Sequence, residues 1–384
     1  MSRPQIIAIA ALLAACAGGK SNIEPPAPLV SFTPSAKIKT LWSVDVGKGE
    51  TKKFIELAPV MHEDILYASD IKGRVSAYAA DTGRQRWHVE LNEPVEAAVG
   101  FGEGLVLVGT KNANVFALDP DNGKQRWKSA VATEILGRPV AAAGVVVVQT
   151  IDGRITGLSA QDGKRLWTQQ RTQPSLSLRG TATPLISSGV VYAGFASGKL
   201  LAVHLESGRP LWERTVARPH GRNEIERLVD VDAPPLIVGD TLFVVSYQGN
   251  VVALNRTTGR VLWSREESSY SGMAVGDAIL YLTDAEGNVV ALDQRSGSSL
   301  WKQDKLHARL LNAPAVVGAY LAVGDLQGYV HWLAPDSGAF VARVRVGSGP
   351  IRGPSIASGN KLYLQDQAGT LAALEIEEGQ GKRR

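Results

Sequence analysis

Gly73-Arg74-Val75-Ser76-Ala77-Tyr78, followed by Asp81-Thr82-Gly83 and then Trp87, is the string that decides the fold, because the chain returns to it eight times. Asn114-Val115-Phe116-Ala117-Leu118 leads to Gly123 and Trp127. Gly153 to Leu158 leads to Gly163 and Trp167, and Gly198 to Val203 leads to Gly208 and Trp212. Gly249 to Leu254 precedes Gly259 and Trp263, and Gly287 to Leu292 precedes Gly297 and Trp301. The seventh copy, Gly328 to Leu333 with Gly338, carries Ala342 in place of the tryptophan. The eighth, Gly369 to Leu374 with Gly379, reaches no tryptophan at all.

Repeats of about 40 residues with four short strands each are the mark of a β-propeller. Each unit reads as an apolar strand A that often begins with proline (Pro59, Pro139, Pro184, Pro235, Pro314), tolerated at the first residue of a strand because no ladder bond is lost there. An apolar strand B follows, as in Val145 to Val148, then strand C, as in Val251 to Leu254. A glycine-bearing hairpin leads to strand D with its tryptophan. Leu41-Trp42-Ser43-Val44 matches strand D of the other copies. It therefore supplies the last strand of the eighth unit, and pairing the two chain ends closes the ring and removes open sheet edges. The expected fold is all-β: an eight-bladed β-propeller of four-stranded antiparallel blades over residues 38–379.

One tryptophan per repeat at a fixed position reads as packing between blades rather than as a ligand box. Each buried ring removes roughly 150–250 Å² from water, on the order of 4–6 kcal/mol gross. Trp332 stands outside this row, at a strand C position where Ala253 and Ala291 occupy the equivalent places, and the sequence assigns it no role.

Outside the ring the chain is different. Arg3 precedes an apolar run from Ile6 to Ala15, too short to span a bilayer, which needs about 20 residues. It reads as a signal peptide, 1–15. Leu13-Ala14-Ala15-Cys16 resembles a bacterial lipobox, which implies that Cys16, the single cysteine of the 384 residues, is a lipid anchor. Ala17, where inner-membrane lipoproteins of enterobacteria carry Asp, points by the same resemblance to the outer membrane. Residues 16–37, with Pro25, Pro26, Pro28 and Pro34, read as the lipidated cysteine and a flexible linker. Residues 380–384 read as a basic, solvated tail.

Composition narrows the function classes. The formal charge is only +4 and is spread along the chain, so no basic groove for nucleic acid is expected. The six histidines are scattered and form no metal-binding pair. No nucleophile elbow and no phosphate-binding loop is present. The Asp/Ser/Thr-Gly-x-x-x-Trp repeat is similar to that of the eight-bladed pyrroloquinoline-quinone dehydrogenases, which implies the fold. Those enzymes stack the quinone on a disulfide between adjacent cysteines and hold Ca²⁺ with a set of oxygen ligands. A chain with one cysteine and no concentration of such ligands departs from both, so no cofactor and no metal are expected and the chain is read as not an enzyme. A quinoprotein-like dehydrogenase stays open as an alternative, as does a propeller that binds another envelope protein or a glycan.

The repeat is interrupted twice. Trp167 to Pro184 and Trp212 to Pro235 are longer than Trp127 to Pro139. Both are D-to-A connections of consecutive units, so they should be neighbours on one face, where insertions in repeat proteins build binding surfaces. The first holds Gln173-Pro174-Ser175-Leu176-Ser177-Leu178-Arg179-Gly180, read either as an exposed apolar pair with an Arg, a composition suited to a contact hot spot, or as a loop with one leucine tucked beneath it. The second holds Glu224, Glu226, Arg227, Asp230 and Asp232.

The lipobox, the proline-containing linker, eight such repeats, Ser-Leu-Ser-Leu-Arg-Gly and Arg-Leu-Val-Asp-Val-Asp together resemble the BamB family, propeller lipoproteins of the β-barrel assembly machinery of Gram-negative bacteria. The resemblance covers essentially the whole chain. It implies a non-enzymatic scaffold at the periplasmic side of the outer membrane, a monomer within a hetero-complex, held to the membrane by the Cys16 lipid. It implies docking on the POTRA domains of BamA through Leu176, Leu178 and Arg179, with Asp230 and Asp232. Unfolded outer-membrane proteins, taken up by β-augmentation, are a second expected partner.

Overall fold

The computed structural model describes residues 24–53, 55–178 and 182–377. Eight four-stranded antiparallel sheets form the ring, each with strands A, B, C and D in order from the axis outward. Blade 3 is typical: Val140–Ala142, Val145–Thr150, Arg154–Ser159 and Arg165–Gln170. Its strand B is buried throughout because neighbouring blades cover both faces, as the unbroken run of valines anticipates. The prolines named above each stand immediately before a strand A.

Blade 8 closes the ring as expected. Its strands A to C are Ile356–Ser358, Lys361–Gln365 and Thr370–Glu377, and its strand D is Lys37–Asp45, with Trp42 opposite Ala373. The core is a ring of eight apolar clusters, one between each pair of adjacent blades. Val145, Val147 and Trp167 of blade 3, for example, pack on Val191, Leu201 and Val203 of blade 4.

The tryptophan row works as a set of inter-blade locks. In each case strand C offers a small residue opposite the indole, such as Ala77 opposite Trp87, Gly157 opposite Trp167 and Ala202 opposite Trp212. The seven D-strand indoles donate Nε1–H to a backbone carbonyl of the next blade at 2.7 to 3.2 Å, from Trp42 to Ala80 round to Trp301 to Pro335. The hairpin glycine of that next blade lies flat on the ring. A Cβ on Gly163 would sit 2.6 Å from Trp127, in addition to the φ of +72° that its turn requires. Gly83, Gly123, Gly208, Gly259, Gly297 and Gly338 meet the preceding tryptophan in the same way.

Blade 7 (Ala315–Val317, Tyr320–Gly324, Tyr329–Leu333, Phe340–Arg345) accounts for Trp332. Trp332 is paired across the sheet with Ala342, so the bulky and the small residue have exchanged strands. Blade 8 is the reason. Its strands C and D come from residues 370–377 and 37–45, so no C–D hairpin joins them, and among the described residues no hairpin glycine faces position 342; Gly379, the glycine of the eighth copy, lies outside the described residues. Trp332 fills the blade 7–blade 8 core from strand C instead, fully buried beside Leu374 and Ile376. Its Nε1 has no acceptor among the described residues.

The flexible linker needs correction over its second half. Residues 24–36 lie as an extended strap on blade 7. Ala27 N–H donates to the His307 carbonyl at 3.0 Å, and Ser35 and Ala36 N–H both donate to the Val341 carbonyl. Phe32 stacks on Phe340 with centroids 5.4 Å apart. Below the strap, Arg309 and Arg343 donate to the Ala27 and Val30 carbonyls at 2.8 and 3.0 Å. Both are fixed from beneath by buried groups: Arg309 by Asp325 at 2.7 Å, and Arg343 by His331 Nδ1 at 3.0 Å. Composition alone read this stretch as free chain because its partners lie some 280 to 310 residues away. The signal peptide, Cys16, residues 17–23 and the basic tail lie outside the described residues.

Candidate docking face

Among the described residues the D–A connections and B–C turns lie on one face of the ring, many of them tied to each other by a recurrent backbone bond, such as Ile151 N–H to the Glu134 carbonyl and Tyr247 N–H to the Asp230 carbonyl. Two of these connections are the insertions. They follow Arg165–Gln170 of blade 3 and Pro210–Thr215 of blade 4 and end at Leu185–Ser187 and Leu236–Val238.

The second insertion leaves blade 4 with Val216 and Ala217 bound to the Gly198 carbonyl. It then projects as residues 218–227, all exposed. Asn223 and Glu226 form a local cap there: Glu226 N–H donates to Asn223 Oδ1 at 2.9 Å, and Asn223 Nδ2 donates to Glu226 Oε1 at 2.8 Å. Glu224 and Arg227 stand 3.9 Å apart on the surface, a pair worth about 0–1 kcal/mol. The chain returns as Leu228 to Ala233. Val229, Val231 and Ala233 are buried, and Val231 enters the core between blades 4 and 5.

The two insertions meet. Ser175 Oγ lies 3.1 Å from Glu224 Oε2, and Leu178 N–H donates to Asp230 Oδ1 at 3.0 Å. The candidate residues therefore divide by role. Leu176 is 42% exposed and free to touch a partner. Leu178 is half-buried and turns into a cleft of about 270 Å³ with Glu134, Gln149, Ile151 and Asp232. Asp230 is fully buried, so direct contact with a partner is not its role: it ties one loop to the other. Burial holds its carboxyl up at about 7, against the pull of the Leu178 N–H. Its second oxygen, Oδ2, has no partner among the described residues. Asp232 is half-buried. Burial first, then the charges of Asp230 and Glu56, push its pKa well up. Arg179, like Cys16, lies outside the described residues.

Two exposed isoleucines on this face escaped the sequence reading. Ile151 sits on the B–C turn of blade 3 and Ile225 on the tip of the second insertion. Ile151 had a signal, since the turn Thr150-Ile151-Asp152-Gly153 interrupts polar residues with a large apolar one. Ile225 had none beyond its place in the insertion. A second cleft of about 580 Å³ runs beside Ile225. Its wall is acidic, with Glu226, Glu266, Glu267, Asp284 and Glu286 around Lys302.

On the ring axis a cavity of about 260 Å³ takes a residue from every blade, among them Glu56, Arg138, Met273 and Pro354. Burial holds Glu56 up at about 7 against the pull of Arg352 and Arg138, and burial brings Arg138 down to about 10. Among the described residues no three His, Cys, Asp or Glu side chains gather closely enough to hold a metal ion. The tryptophans stand between blades, and the face presents apolar side chains on two joined loops with carboxylates beside them.

A family model described as outer membrane protein assembly factor BamB matches residues 37–99, 71–303 and 285–382. The outer membrane protein assembly factor BamB of Pseudomonas aeruginosa is 44% identical over 371 residues, covering 97% of this chain and 98% of that protein. The crystal structure of BamB from Moraxella catarrhalis superposes with a TM-score of 0.81 at 28% identity, over 88% of this chain and all of that one. The quinohemoprotein alcohol dehydrogenase of Comamonas testosteroni, at 13% identity and a TM-score of 0.70 over 90% of this chain and 77% of that one, shares the fold alone.

Proposed function

The chain belongs to the outer membrane protein assembly factor BamB family, and from that premise we propose that it is a non-enzymatic scaffold lipoprotein of the machinery that inserts β-barrels into the outer membrane. The Cys16 lipid holds it at the inner leaflet, facing the periplasm. The joined insertions dock on the POTRA domains of BamA, with Leu176 and Arg179 as contacts, Leu178 and Asp232 beside them, and Asp230 as a positioning residue beneath. The observation that carries this reading is the bond from Leu178 N–H to Asp230, which makes one surface of two loops and leaves Leu176 outward. A rigid scaffold presenting an apolar anchor among charged groups is the composition of an interface hot spot.

The test is capture of BamA by the full chain carrying Leu176→Glu or Arg179→Glu. Each variant is expected to weaken capture about tenfold or more, the scale of a hot-spot loss. Undiminished capture by variants with an unchanged circular dichroism spectrum would remove the docking site.

A further inference from the structure

We propose that the strap makes one rim of the ring, the connection between blades 6 and 7 on the docking face, the part of the molecule nearest the lipid surface. The proposal rests on the reading of Cys16 as a lipid anchor and adds where on the ring that anchor pulls. Without the strap the tether would leave from the opposite face. Lys37 opens the closing strand and pairs with Glu377, at the end of blade 8 that corresponds to the C–D hairpins of the other blades. Asp45, at the far end of the same strand, pairs with Thr370 on the side of the B–C turns.

The strap reverses this exit. Phe32 stacks on Phe340, at the hairpin end of strand D in blade 7, and Ser35 and Ala36 bond the adjacent Val341. Further up the chain, the Val30 carbonyl accepts from Arg343, midway along that strand. Ala27 has reached the connection between blades 6 and 7, where its N–H donates to the His307 carbonyl and its carbonyl accepts from Arg309. Glu24 is there too, with Oε1 3.0 Å from His307 Nε2. The chain has therefore crossed the outside of blade 7 from one face to the other, a strand length of about 17–20 Å. The crossing is fixed from beneath. Arg309 is 2% exposed and gives one N–H to the Ala27 carbonyl, so lifting the strap leaves a buried donor unpaired.

The strap also shortens the tether. Cys16 stands 21 residues before Lys37 but only eight before Glu24. The longer segment spans up to about 70–75 Å, enough for any orientation of the ring, and the shorter at most about 26–29 Å. Surface charge does not draw this rim to lipid: Lys305 pairs with Asp304 and His307 with Glu24, each at 3.0 Å. Covalent reach sets the orientation. The joined loops follow blades 3 and 4, across the ring from blade 7, so lipid and partner are taken at opposite edges of one face.

The test uses the full chain, extracted from the membranes of the producing cells and reconstituted in phosphatidylethanolamine–phosphatidylglycerol vesicles. A fluorescent amino acid is placed at position 305, beside the strap exit, or at position 337, in the C–D hairpin of blade 7. Energy transfer is read to an acceptor on the lipid headgroups. Transfer at 305 is expected to exceed that at 337 about twofold, the two positions being a strand length apart. Ala27→Pro with Phe32→Lys removes a strap bond and sets a cation beside Arg343, whose guanidinium now lies 5.0 Å from the Phe32 ring. This variant is expected to bring the ratio to one or below, with faster amide exchange in residues 24–36. An insertion of about 20 glycine and serine residues after Gly19 leaves the strap untouched and should also bring the ratio to about one. Equal transfer at 305 and 337 in the parent, or an unchanged ratio with the lengthened tether, would overturn the proposal. The mass of the extracted protein reports the Cys16 lipid separately, so failure of the anchor is told apart from failure of the strap.

Discussion

At the scale of the residue, the exchange of Trp332 and Ala342 separates what a repeat dictates from what its closure dictates. Each D-strand indole has a small partner on strand C and a hairpin glycine on the next blade, and among the described residues no such glycine faces position 342. Trp332→Ala opens a large cavity between blades 7 and 8 and should cost about 3–5 kcal/mol in a urea titration. Adding Ala342→Trp restores the consensus of the other blades, yet it should not recover the loss, because blade 8 has no covalent C–D hairpin to form the platform that receives the ring. Recovery to within about 1 kcal/mol of the parent would show that the platform is dispensable. The sequence displays both anomalies, but only the C–D register shows that they are one event.

At the scale of the element, the joined loops and the strap respond to pH in opposite senses. His331 is buried, and Arg343 donates to its Nδ1, so the ring keeps its proton on Nε2 toward Asp325. Burial first lowers its pKa, with Arg343 and Arg309 lowering it further against the pull of Asp325. Tyr329 is the remaining titratable group alongside. In the unfolded chain the ring takes a proton near 6.5, which the fold resists, so blade 7 loses stability as pH falls through that value. Asp230 behaves conversely. Its folded pKa stands at about 7 against 3.8, so the fold binds more protons in that window and the loops gain stability as pH falls through it. Between about pH 7.5 and about pH 5.5, amide exchange corrected for intrinsic rates should quicken in residues 24–36 and slow in residues 173–178. Asp230→Asn keeps the acceptor for Leu178 N–H and should reduce the second change alone, the raised carboxyl of Asp232 accounting for what persists. Parallel changes in both segments would contradict these assignments. The alternation Leu228-Val229-Asp230-Val231-Asp232 announces an extended segment, but a period of two cannot say that Asp230 also faces inward. That depends on the loop laid over it. The strap was hidden for a related reason: a proline-rich stretch has no period of its own, and what orders it is spread over blade 7.

At the scale of the whole molecule, the ring was legible because one strand pattern recurs and Trp42 completes the count. The docking face was legible only as two interruptions of that pattern. What the count leaves out is that seven blades join strands C and D through a covalent hairpin and blade 8 does not. Trp42 and Trp167 make equivalent local contacts: each donates to the next blade, and each lies under a hairpin glycine, Gly83 or Gly208. Removing either ring should therefore cost a similar local amount, about 3–5 kcal/mol. The consequences should still diverge. In Trp167→Ala the strand stays beside its sheet because the hairpin at Gly163 tethers it. In Trp42→Ala no hairpin tethers the strand: the ring is held shut by non-covalent contacts, chiefly the pairing of 37–45 with 370–377, with the strap on Val341 and the Val46 N–H to the Gly369 carbonyl beside it, so its partial unfolding exposes two sheet edges at once. Trp42→Ala should show faster exchange in both of those strands and concentration-dependent association on mild warming, while Trp167→Ala should unfold without associating. The same behaviour in both variants would mean that closure carries no more of the stability of the ring than any other blade contact.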